Sequence, residues 1–459
     1  MVPKSVAHPS EYDVKGFMQK LGLAPGSSPD GPAPSSLMKG FMALTLETIK
    51  DYVASLPALQ QQVGPASTAH SWEVKEVGDG NINFVYIITG PDGSICIKQS
   101  LPFVRCVGES WPLTMDRARI EVLGLMEAKK YAPNHVPTVY HFDLKNAIIA
   151  MQYLAPPFLI LRKGMIQGQV YPKLADHVSE FLAQTLFHTS TLKLSTEAYR
   201  ANVASFTNNE LCRLTEQVIF SEPYFAASNN HYNPLIDKEV KALQSDPEAK
   251  AAVALLKDAF THRAEALLHG DLHTGSIMVT PAESSVIDPE FGFYGPMAFD
   301  VAKILGNLLL SFFATFGLEK NAGDSDRSKQ RDWILGTIES IWDQFVSKFK
   351  SLWAAHGHEG DLYPASIYGL SVDGGKAATE AAQAKFFDDI WQLSLGFMGS
   401  FLIRRVVGIA HVADMDTIAD EAVRGECEKK ALLFGRRLLV KGAKELATVK
   451  SLVEAASSF

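Results

Sequence analysis

The chain has 459 residues, 47% of them hydrophobic and 20% charged, which is the balance of a soluble globular protein. This length is large for one hydrophobic core, so we expect two lobes and an appendage. The net charge of −8 argues against a general nucleic-acid binder, because no basic surface dominates. The four cysteines are scattered without a C-x-x-C pair, which argues against a zinc site or a disulfide framework and fits a reducing compartment.

Residues 1–42 are predicted to form a flexible extension. Residues 22–36 are rich in Pro, Gly and Ser, which is typical of a linker, and residues 12–23 fit a short helix. The N-terminus has neither a secretory hydrophobic region nor the composition of a transit peptide, so we expect a cytoplasmic protein. The longest apolar run, 304–316, is too short to span a bilayer and predicts a buried helix, so no membrane association is expected.

Residues 43–154 are predicted to form a small lobe in which a β-sheet carries one main helix. The spacing of apolar residues over 44–59 predicts an additional helix with four residues on its buried face, Leu46, Ile49, Val53 and Leu56. The main helix is predicted at 115–131, and strands are predicted within 72–98, at 138–142 and at 147–153.

After Pro156-Pro157 the pattern becomes mainly helical, so residues 155–459 are predicted to form a larger lobe. Strands with one helix, followed by a helix-rich segment, indicate an α+β, two-lobed fold. The polar stretch 319–332 is expected to be a surface loop of the larger lobe.

A glycine-rich turn, Gly78-Asp79-Gly80-Asn81-Ile82-Asn83, lies between two predicted strands. Its glycines permit a tight turn in which backbone N–H groups approach phosphate oxygens. A β-hairpin with an Asp-Gly turn and no ligand is the alternative that this segment alone leaves open.

Lys98 ends the apolar strand that follows this turn, where a solvated lysine would be unusual. We interpret it as a cation directed at nucleotide phosphates, with Glu121 of the main helix as the partner that holds its ammonium. The alternative is an edge-strand lysine, with a surface Glu121 paired to Arg117 four residues away.

The strongest pattern is His269-Gly270-Asp271-Leu272-His273-Thr274-Gly275-Ser276, followed at 288–290 by Asp-Pro-Glu. Its spacing is close to that of a kinase catalytic loop and metal-binding segment, which predicts phosphoryl transfer. Asp271 is the candidate base. Ser276 stands where the kinase pattern has asparagine, which puts metal binding at that position in doubt. His269 and His273 are expected to hydrogen-bond the loop backbone.

Asp288 and Glu290 lie two residues apart, so on a strand their carboxylates would share a face and could hold Mg²⁺. Pro289 between them restricts the backbone. An acidic turn without a metal is the alternative. Asp300, further along, either caps the next helix or supports the catalytic loop, and capping is the simpler expectation.

Arg404 and Arg405 stand inside the apolar stretch 397–409, where burial without anions would be costly. Guanidinium groups suit phosphate recognition, but one solvated arginine beside one paired arginine is equally compatible with the residues. Trp111, on a loop between Lys98 and Glu121, either leans over a ligand or fills a gap between elements.

Together these segments resemble the aminoglycoside-phosphotransferase and protein-kinase-like superfamily, and within it the S-methyl-5-thioribose kinase family. The resemblance runs from about residue 44 to the C-terminus. It implies a serine, and not the asparagine of the kinase pattern, at the position of Ser276. The segments that carry it are GDGNINFVY (78–86), VGESWPLTMDRARIE (107–121), HGDLHTGSI (269–277), DPEFGFYGP (288–296) and IRRVVGIAHVADMDTI (403–418).

The resemblance implies transfer of the ATP γ-phosphoryl group to the 1-hydroxyl of methylthioribose, with Mg²⁺, by a homodimer. Asp271 would be the base and a sugar contact, Arg404 and Arg405 would contact the substrate and offset charge, and the Trp111 loop would close over the site. The implied nucleotide and metal positions are Gly78, Gly80, Asn81, Asn83, Lys98, Glu121, Gln152, Tyr153, Leu154, Asp288, Pro289 and Glu290, with Asp288 and Glu290 holding the metal.

Two other functions are compatible with parts of this pattern. One is a kinase of the same fold that acts on another small alcohol, such as choline, homoserine or an aminoglycoside. A cationic substrate should meet carboxylates or aromatic rings, and the Arg404-Arg405 pair argues against one. The other is a non-catalytic nucleotide-binding protein, which the retention of Lys98, Asp271 and Asp288 disfavours.

Overall fold

The computed structural model describes residues 41–78, 82–104, 108–321 and 326–459. The predicted linker and short helix of the N-terminal extension lie outside these residues. The predicted α+β, two-lobed fold is confirmed, with a small antiparallel sheet in the N-terminal lobe and a larger helical C-terminal lobe. The exact division of the chain at residues 154 and 155 stays a prediction.

The N-terminal lobe is built on a five-stranded antiparallel sheet in the order β1-β2-β3-β7-β6. Its elements are α1 (Ile49–Ala54), α2 (Pro57–Val63), β1 (Glu73–Glu76), β2 (Asn83–Thr89), β3 (Ser94–Ser100), β4 (Phe103–Val104), β5 (Gly108–Pro112), α3 (Arg117–Tyr131), β6 (Val139–Asp143) and β7 (Ile148–Gln152). In the register of the sheet, Lys98 of β3 lies between Val85 of β2 and Ile149 of β7. Lys98 is therefore on a central strand, and the edge-strand alternative is wrong.

The single helix predicted over residues 44–59 is wrong in its extent. Two short helices are present, because Pro57 can begin a helix but cannot donate the backbone hydrogen bond that would continue one. Ile49 and Val53 pack into the core on the sheet, as predicted, whereas Leu46 precedes the first helix and is 51% exposed.

The C-terminal lobe is a helical assembly with three short strand pairs, β8-β10, β10-β11 and β9-β12, at its centre. Its elements are β8 (Leu159–Ile160), α4 (Leu161–Ile166), α5 (Leu174–His188), α6 (Thr196–Ser205), α7 (Asn209–Phe220), α8 (Asp237–Ser245), α9 (Pro247–His262), β9 (Ala266–Leu268), β10 (Ile277–Val279), β11 (Ser284–Val286), β12 (Phe293–Gly295), α10 (Met297–Leu318), α11 (Ser328–His356), α12 (Ala365–Tyr368), α13 (Gly375–Val407), α14 (Ala413–Asp416), α15 (Glu421–Glu445) and α16 (Val449–Ser457).

Helix α10 runs through the core of this lobe and contains the apolar run predicted to be a buried helix. Among the described residues it is the one helix long and apolar enough to cross a membrane, and 94% of its most apolar part is buried in the fold. The surface loop predicted at 319–332 is wrong at its C-terminal end, because α11 already begins at Ser328; residues 322–325 lie outside the described part.

The strand pairing of the C-terminal lobe brings two loops together. β9 pairs with β12 and β10 pairs with β11, so loop 269–276 and loop 287–292 join the same two strand pairs. The backbone N–H of Ile287 donates to the carbonyl of Ser276 at 2.9 Å and ties the loops to each other. The acidic residues of both loops are thereby held on one side of the lobe.

Candidate active site

The loop that carries Asp271 is held by its own histidines, as predicted. The Nε2 of His269 lies 2.9 Å from the carbonyl of Ile287, and its Nδ1 accepts from the backbone N–H of Asp271 at 3.2 Å. The Nδ1 of His273 accepts from the N–H of Gly275 at 3.1 Å. Both imidazole rings therefore form hydrogen bonds with backbone groups of the two loops.

Asp300 supports this loop and does not cap a helix. Helix α10 begins at Met297, so Asp300 lies inside its first turn, facing the loop. Its two carboxylate oxygens accept from the backbone N–H groups of His269 at 2.6 Å and Gly270 at 3.0 Å. The capping expectation is wrong, and the alternative that Asp300 buttresses the loop is confirmed.

Ser276 closes the loop from its other end. Its hydroxyl donates to the carbonyl of Asp271 at 2.9 Å and lies 3.0 Å from Nδ1 of His273, and the residue is buried. The hydroxyl of Ser276 thus donates its hydrogen bond within the loop. This contact explains why a serine fits at a position where metal binding was in doubt.

The carboxylate of Asp271 is surrounded by cations and by one histidine. Lys303 Nζ lies 2.9 Å from its Oδ1, and His273 Nε2 lies 3.3 Å from its Oδ2. Burial alone would raise the pKa of Asp271, but Lys303, His273, Arg404 and Arg405 hold it well below its usual range. Burial, together with Arg162, Arg405 and Lys303, holds the pKa of His273 far below its usual range against the opposing effect of Asp271. At neutral pH Asp271 is therefore ionised and His273 is neutral, with its Nε2–H toward the carboxylate.

Arg404 and Arg405 end helix α13 and flank this carboxylate. Arg405 is buried and donates from Nη1 to the carbonyl of Ala410 at 3.0 Å. Arg404 is half-buried, and within the described structure its Nε has no hydrogen-bond partner. Burial lowers the pKa of both groups. The alternative in which one arginine is simply solvated is not what the structure shows, since both contribute to the field at Asp271.

Three charged residues of this cluster were missed by the sequence analysis. Lys303 is buried in α10, Arg162 of α4 pairs through Nε with Asp414 Oδ2 at 2.7 Å, and Ser311 donates to the other oxygen of Asp414. The backbone N–H of Arg162 also donates to the carbonyl of Thr274 in loop 269–276. A lysine directly before the apolar run 304–316 was the signal that could have revealed Lys303.

A second cluster of charged groups is centred on Lys98. Its Nζ lies 2.6 Å from Glu121 Oε2 and 3.9 Å from Glu290 Oε2, and it also pairs with Asp288. The predicted Lys98–Glu121 pair is therefore present. Burial alone would lower the pKa of Lys98, but the three carboxylates raise it. Burial, aided by Asp288 and Glu290 against the opposing effect of Lys98, raises the pKa of Glu121 to about 8.

Arg117 and Asn83 connect this cluster to the glycine-rich turn. Arg117 donates from Nη2 to Asn83 Oδ1 at 2.8 Å, and its Nε lies 3.4 Å from Glu290 Oε2. Asn83 in turn donates to Glu290 Oε2 at 2.9 Å. Glu121 is 1% exposed, so the alternative of a surface Glu121 paired with Arg117 is wrong.

Asp288 and Glu290 converge through a turn and not along a strand, so the expectation of a shared strand face is wrong. β11 ends at Val286, and Asp288 has φ +68°, the left-handed region in which a strand cannot continue. Carboxylate oxygens of Glu121, Asp288 and Glu290 nevertheless lie within 4.8 Å of one another. A set of hard oxygen donors at this spacing fits Mg²⁺.

The remaining predicted positions are only partly described. Gly78 is exposed beside the turn, whereas Gly80 and Asn81 lie outside the described residues. The expectation that Trp111 lies on a loop is wrong, since its backbone belongs to β5; its side chain lies outside the described part. Gln152 ends β7, and Tyr153 and Leu154 follow it where the chain leaves the sheet.

Sequence comparisons agree with this geometry. The profile of the phosphotransferase enzyme family matches residues 73–333. Methylthioribose kinase 1 of Oryza sativa subsp. japonica is 45% identical over 424 residues, which cover 92% of this chain and 96% of the relative. The methylthioribose kinase of Escherichia coli O45:K1 is 40% identical over 92% of this chain and 99% of its own length.

Among solved structures, an ethanolamine kinase of Plasmodium vivax covers 94% of this chain and 96% of its own, with 11% identity and a TM-score of 0.41. A likeness this distant says nothing about the substrate.

Proposed function

Because the chain belongs to the phosphotransferase enzyme family and, within it, to the methylthioribose kinases, we propose that it phosphorylates the 1-hydroxyl of S-methyl-5-thio-D-ribose. ATP is the donor, and the products are S-methyl-5-thio-α-D-ribose 1-phosphate and ADP, a step of methionine salvage. The observation that carries the proposal is the ionised Asp271 carboxylate, flanked by Arg404 and Arg405 in a family of phosphotransferases.

Asp271 is the base in this proposal. Its carboxylate accepts the proton of the 1-hydroxyl as the sugar oxygen bonds to the γ-phosphorus and the bond to ADP breaks. Phosphoryl transfer depends mainly on positioning and on charge stabilisation, so a weakly basic but well-held carboxylate suffices. The hydrogen bonds from the loop backbone to Asp300 fix the segment that presents it.

Arg404 and Arg405 contact the sugar and offset the negative charge of the transferring phosphoryl group. The unpartnered Nε of Arg404 supports this role, because a half-buried guanidinium retains donors for a ligand. Trp111 lies on the segment between Lys98 and Glu121, and we assign it to closure over the sugar.

The nucleotide lies between the two lobes. Lys98, held by Glu121, contacts its phosphates, and the turn that contains Gly78, Gly80, Asn81 and Asn83 covers them. The adenine is received by backbone groups of residues 152–154, Gln152, Tyr153 and Leu154, where the sheet ends.

Asp288 and Glu290, spaced by Pro289, would hold Mg²⁺. When bound, the ion neutralises charge on the nucleotide phosphates. The two carboxylates fit this role because their oxygens already converge with that of Glu121. Asn83 and Arg117 keep Glu290 in place from the side of the sheet.

The same family membership underlies two further parts of the proposal, a homodimer and a cytoplasmic location. Neither nucleic acid nor membrane is a partner in it, and the net charge of −8 is in keeping with that. Light scattering coupled to size-exclusion chromatography tests the dimer.

The deciding experiment is a substrate panel assayed by ADP release with ATP and Mg²⁺. Methylthioribose should give a kcat/KM at least about a hundredfold above those of ribose, choline, homoserine and an aminoglycoside. A higher value for choline or an aminoglycoside would replace the proposed substrate. The absence of ADP release with every compound would favour a non-catalytic nucleotide-binding protein.

A further inference from the structure

Lys303 is a charged residue in an apolar place. It lies near the start of α10, and its side chain is 2% exposed. Its Nζ lies 2.9 Å from Oδ1 of Asp271, 4.5 Å from the ring centre of Phe401 and 5.2 Å from that of Phe299. Two ring faces and one carboxylate therefore surround the ammonium.

Burying an ammonium is costly unless a counter-charge compensates it. Lys303 is flanked along α10 by Val301, Ala302, Ile304 and Leu305, which are apolar and buried. The buried carboxyl of Asp300, one turn earlier on the helix, already accepts from the backbone N–H groups of His269 and Gly270. The carboxylate of Asp271 is the compensating anion, and ring faces add a weaker attraction. The lysine is thus matched to the candidate base and not to the helix on which it stands.

The charges of the cluster divide into distinct pairs. Arg162 pairs with Asp414 at 2.7 Å, so these two opposite charges compensate each other and add little net charge near Asp271. Lys303 makes the close contact with Asp271. Arg404 and Arg405 then have no carboxylate of their own at salt-bridge distance within the described structure, which leaves their charge for an anionic ligand.

We propose that Lys303 is a positioning residue for Asp271, whose ammonium holds Oδ1 so that Oδ2 faces the acceptor hydroxyl while Arg404 and Arg405 remain available to the phosphoryl group. The proposal rests on the function proposed above. His273, 3.3 Å from Oδ2, restrains the same oxygen from the loop side, so the carboxylate has one favoured rotational position.

This arrangement depends on the charge of Lys303. Burial lowers its pKa, Asp271 raises it, and Arg404 and Arg405 lower it, with a result of about 8. The other titratable groups of the cluster are the neutral His273, Arg162 paired with Asp414, and Asp300 of α10. Asp300 is held by the backbone of the loop, and burial raises its pKa against the opposing effects of His269 and Lys303. The ammonium is therefore present below pH 8 and is lost as the pH rises through that value, and the hold on Asp271 is lost with it.

The first test is the pH dependence of kcat/KM for three proteins: wild type, Lys303→Met and Lys303→Arg. The wild-type profile should fall above about pH 8. Lys303→Met should lower kcat about a hundredfold at pH 7, as expected for a misplaced catalytic group, and should leave the KM for ATP within about threefold. Its profile should also lack the alkaline limb, which is the fall in kcat/KM above about pH 8. Lys303→Arg, whose charge persists, should keep more activity than the Met variant and also lack that limb.

Lys129→Met is the matched control. Lys129 is a buried lysine of α3 that donates to the carbonyls of Pro133 and Val136, and burial lowers its pKa. Its loss should reduce stability but leave the pH profile of the folded enzyme unchanged. A Lys303→Met enzyme within threefold of wild type at pH 7, with the same alkaline limb, would overturn the proposal.

The second test needs no turnover and separates this inference from the proposed substrate. In ¹³C-lysine NMR, the resonance that disappears in Lys303→Arg should titrate near pH 8 in the otherwise unmodified protein. In Asp271→Asn its midpoint should move to lower pH, because the carboxylate that favours the charged form is gone. A midpoint above pH 10, or one unaffected by Asp271→Asn, would contradict the pairing even if methylthioribose proved to be the substrate.

Discussion

Replacing Asp271 by asparagine keeps the size of the side chain and removes its charge. In the present structure Oδ1 accepts from Lys303 and Oδ2 faces the Nε2–H of His273. An amide carries one acceptor and one donor, so in either orientation its NH₂ points at another donor. The variant therefore loses the base and gains an unfavourable contact at once.

The two effects have different sizes. Loss of the base should lower kcat at least about a thousandfold, equivalent to about 4 kcal/mol of transition-state stabilisation. The mismatched donor and the uncompensated Lys303 should lower the free energy of unfolding by about 2 kcal/mol, at the low end for buried polar groups because Asp271 is 22% exposed. Nucleotide binding should change little, since Lys98 and Glu121 are unaffected.

The assay is ADP release at saturating ATP and sugar, with nucleotide affinity measured by calorimetry and stability by urea unfolding. Asp258→Asn is the matched control, because Asp258 is a surface residue of α9 paired with His262; it should retain wild-type kinetics. An Asp271→Asn enzyme with kcat within tenfold of wild type would remove Asp271 from the role of base.

Three further changes test other parts of the site. Asp288→Asn should raise the Mg²⁺ concentration needed for half-maximal rate at least about tenfold, because a neutral amide is a weaker ligand for a hard cation; an unchanged Mg²⁺ titration would place the ion elsewhere. Asp300→Ala should lower the free energy of unfolding by about 2 kcal/mol, because it leaves the N–H groups of His269 and Gly270 unpaired. In the same variant, the factor by which kcat falls should exceed the factor by which the KM for ATP rises. Deletion of residues 1–40 should leave turnover within about twofold, and a large loss would show that the extension contributes to the site.

The sequence predicted those parts of the site that depend on local pattern. A lysine at the end of an apolar strand indicates the phosphate-directed cation Lys98, and the helix that follows this strand supplies its partner Glu121. Both positions can be read from the order of the elements along the chain. Asp271 was assigned from loop spacing. The shared strand face of Asp288 and Glu290 was wrong, since a positive φ at a non-glycine residue is set by tertiary packing and has no sequence pattern of its own.

Contacts between distant segments were harder to predict. Lys303 is 32 residues from Asp271, and Arg162 is more than 100 residues from the catalytic loop it contacts. Each looks like an ordinary helix residue until the helices pack. The same limit explains Asp300, whose partners are two backbone N–H groups about 30 residues upstream.

The pairing of Lys98 with Asp288 links the sheet to the C-terminal lobe and also makes the lysine an internal competitor for the proposed Mg²⁺ site. A divalent cation bound at Asp288 would compete with the ammonium for this carboxylate, so its apparent affinity would be lower than that of the carboxylates alone. A nucleotide that draws Lys98 to its phosphates removes this competitor. Nucleotide and metal should therefore each raise the affinity for the other by the same factor, because coupling free energies are reciprocal.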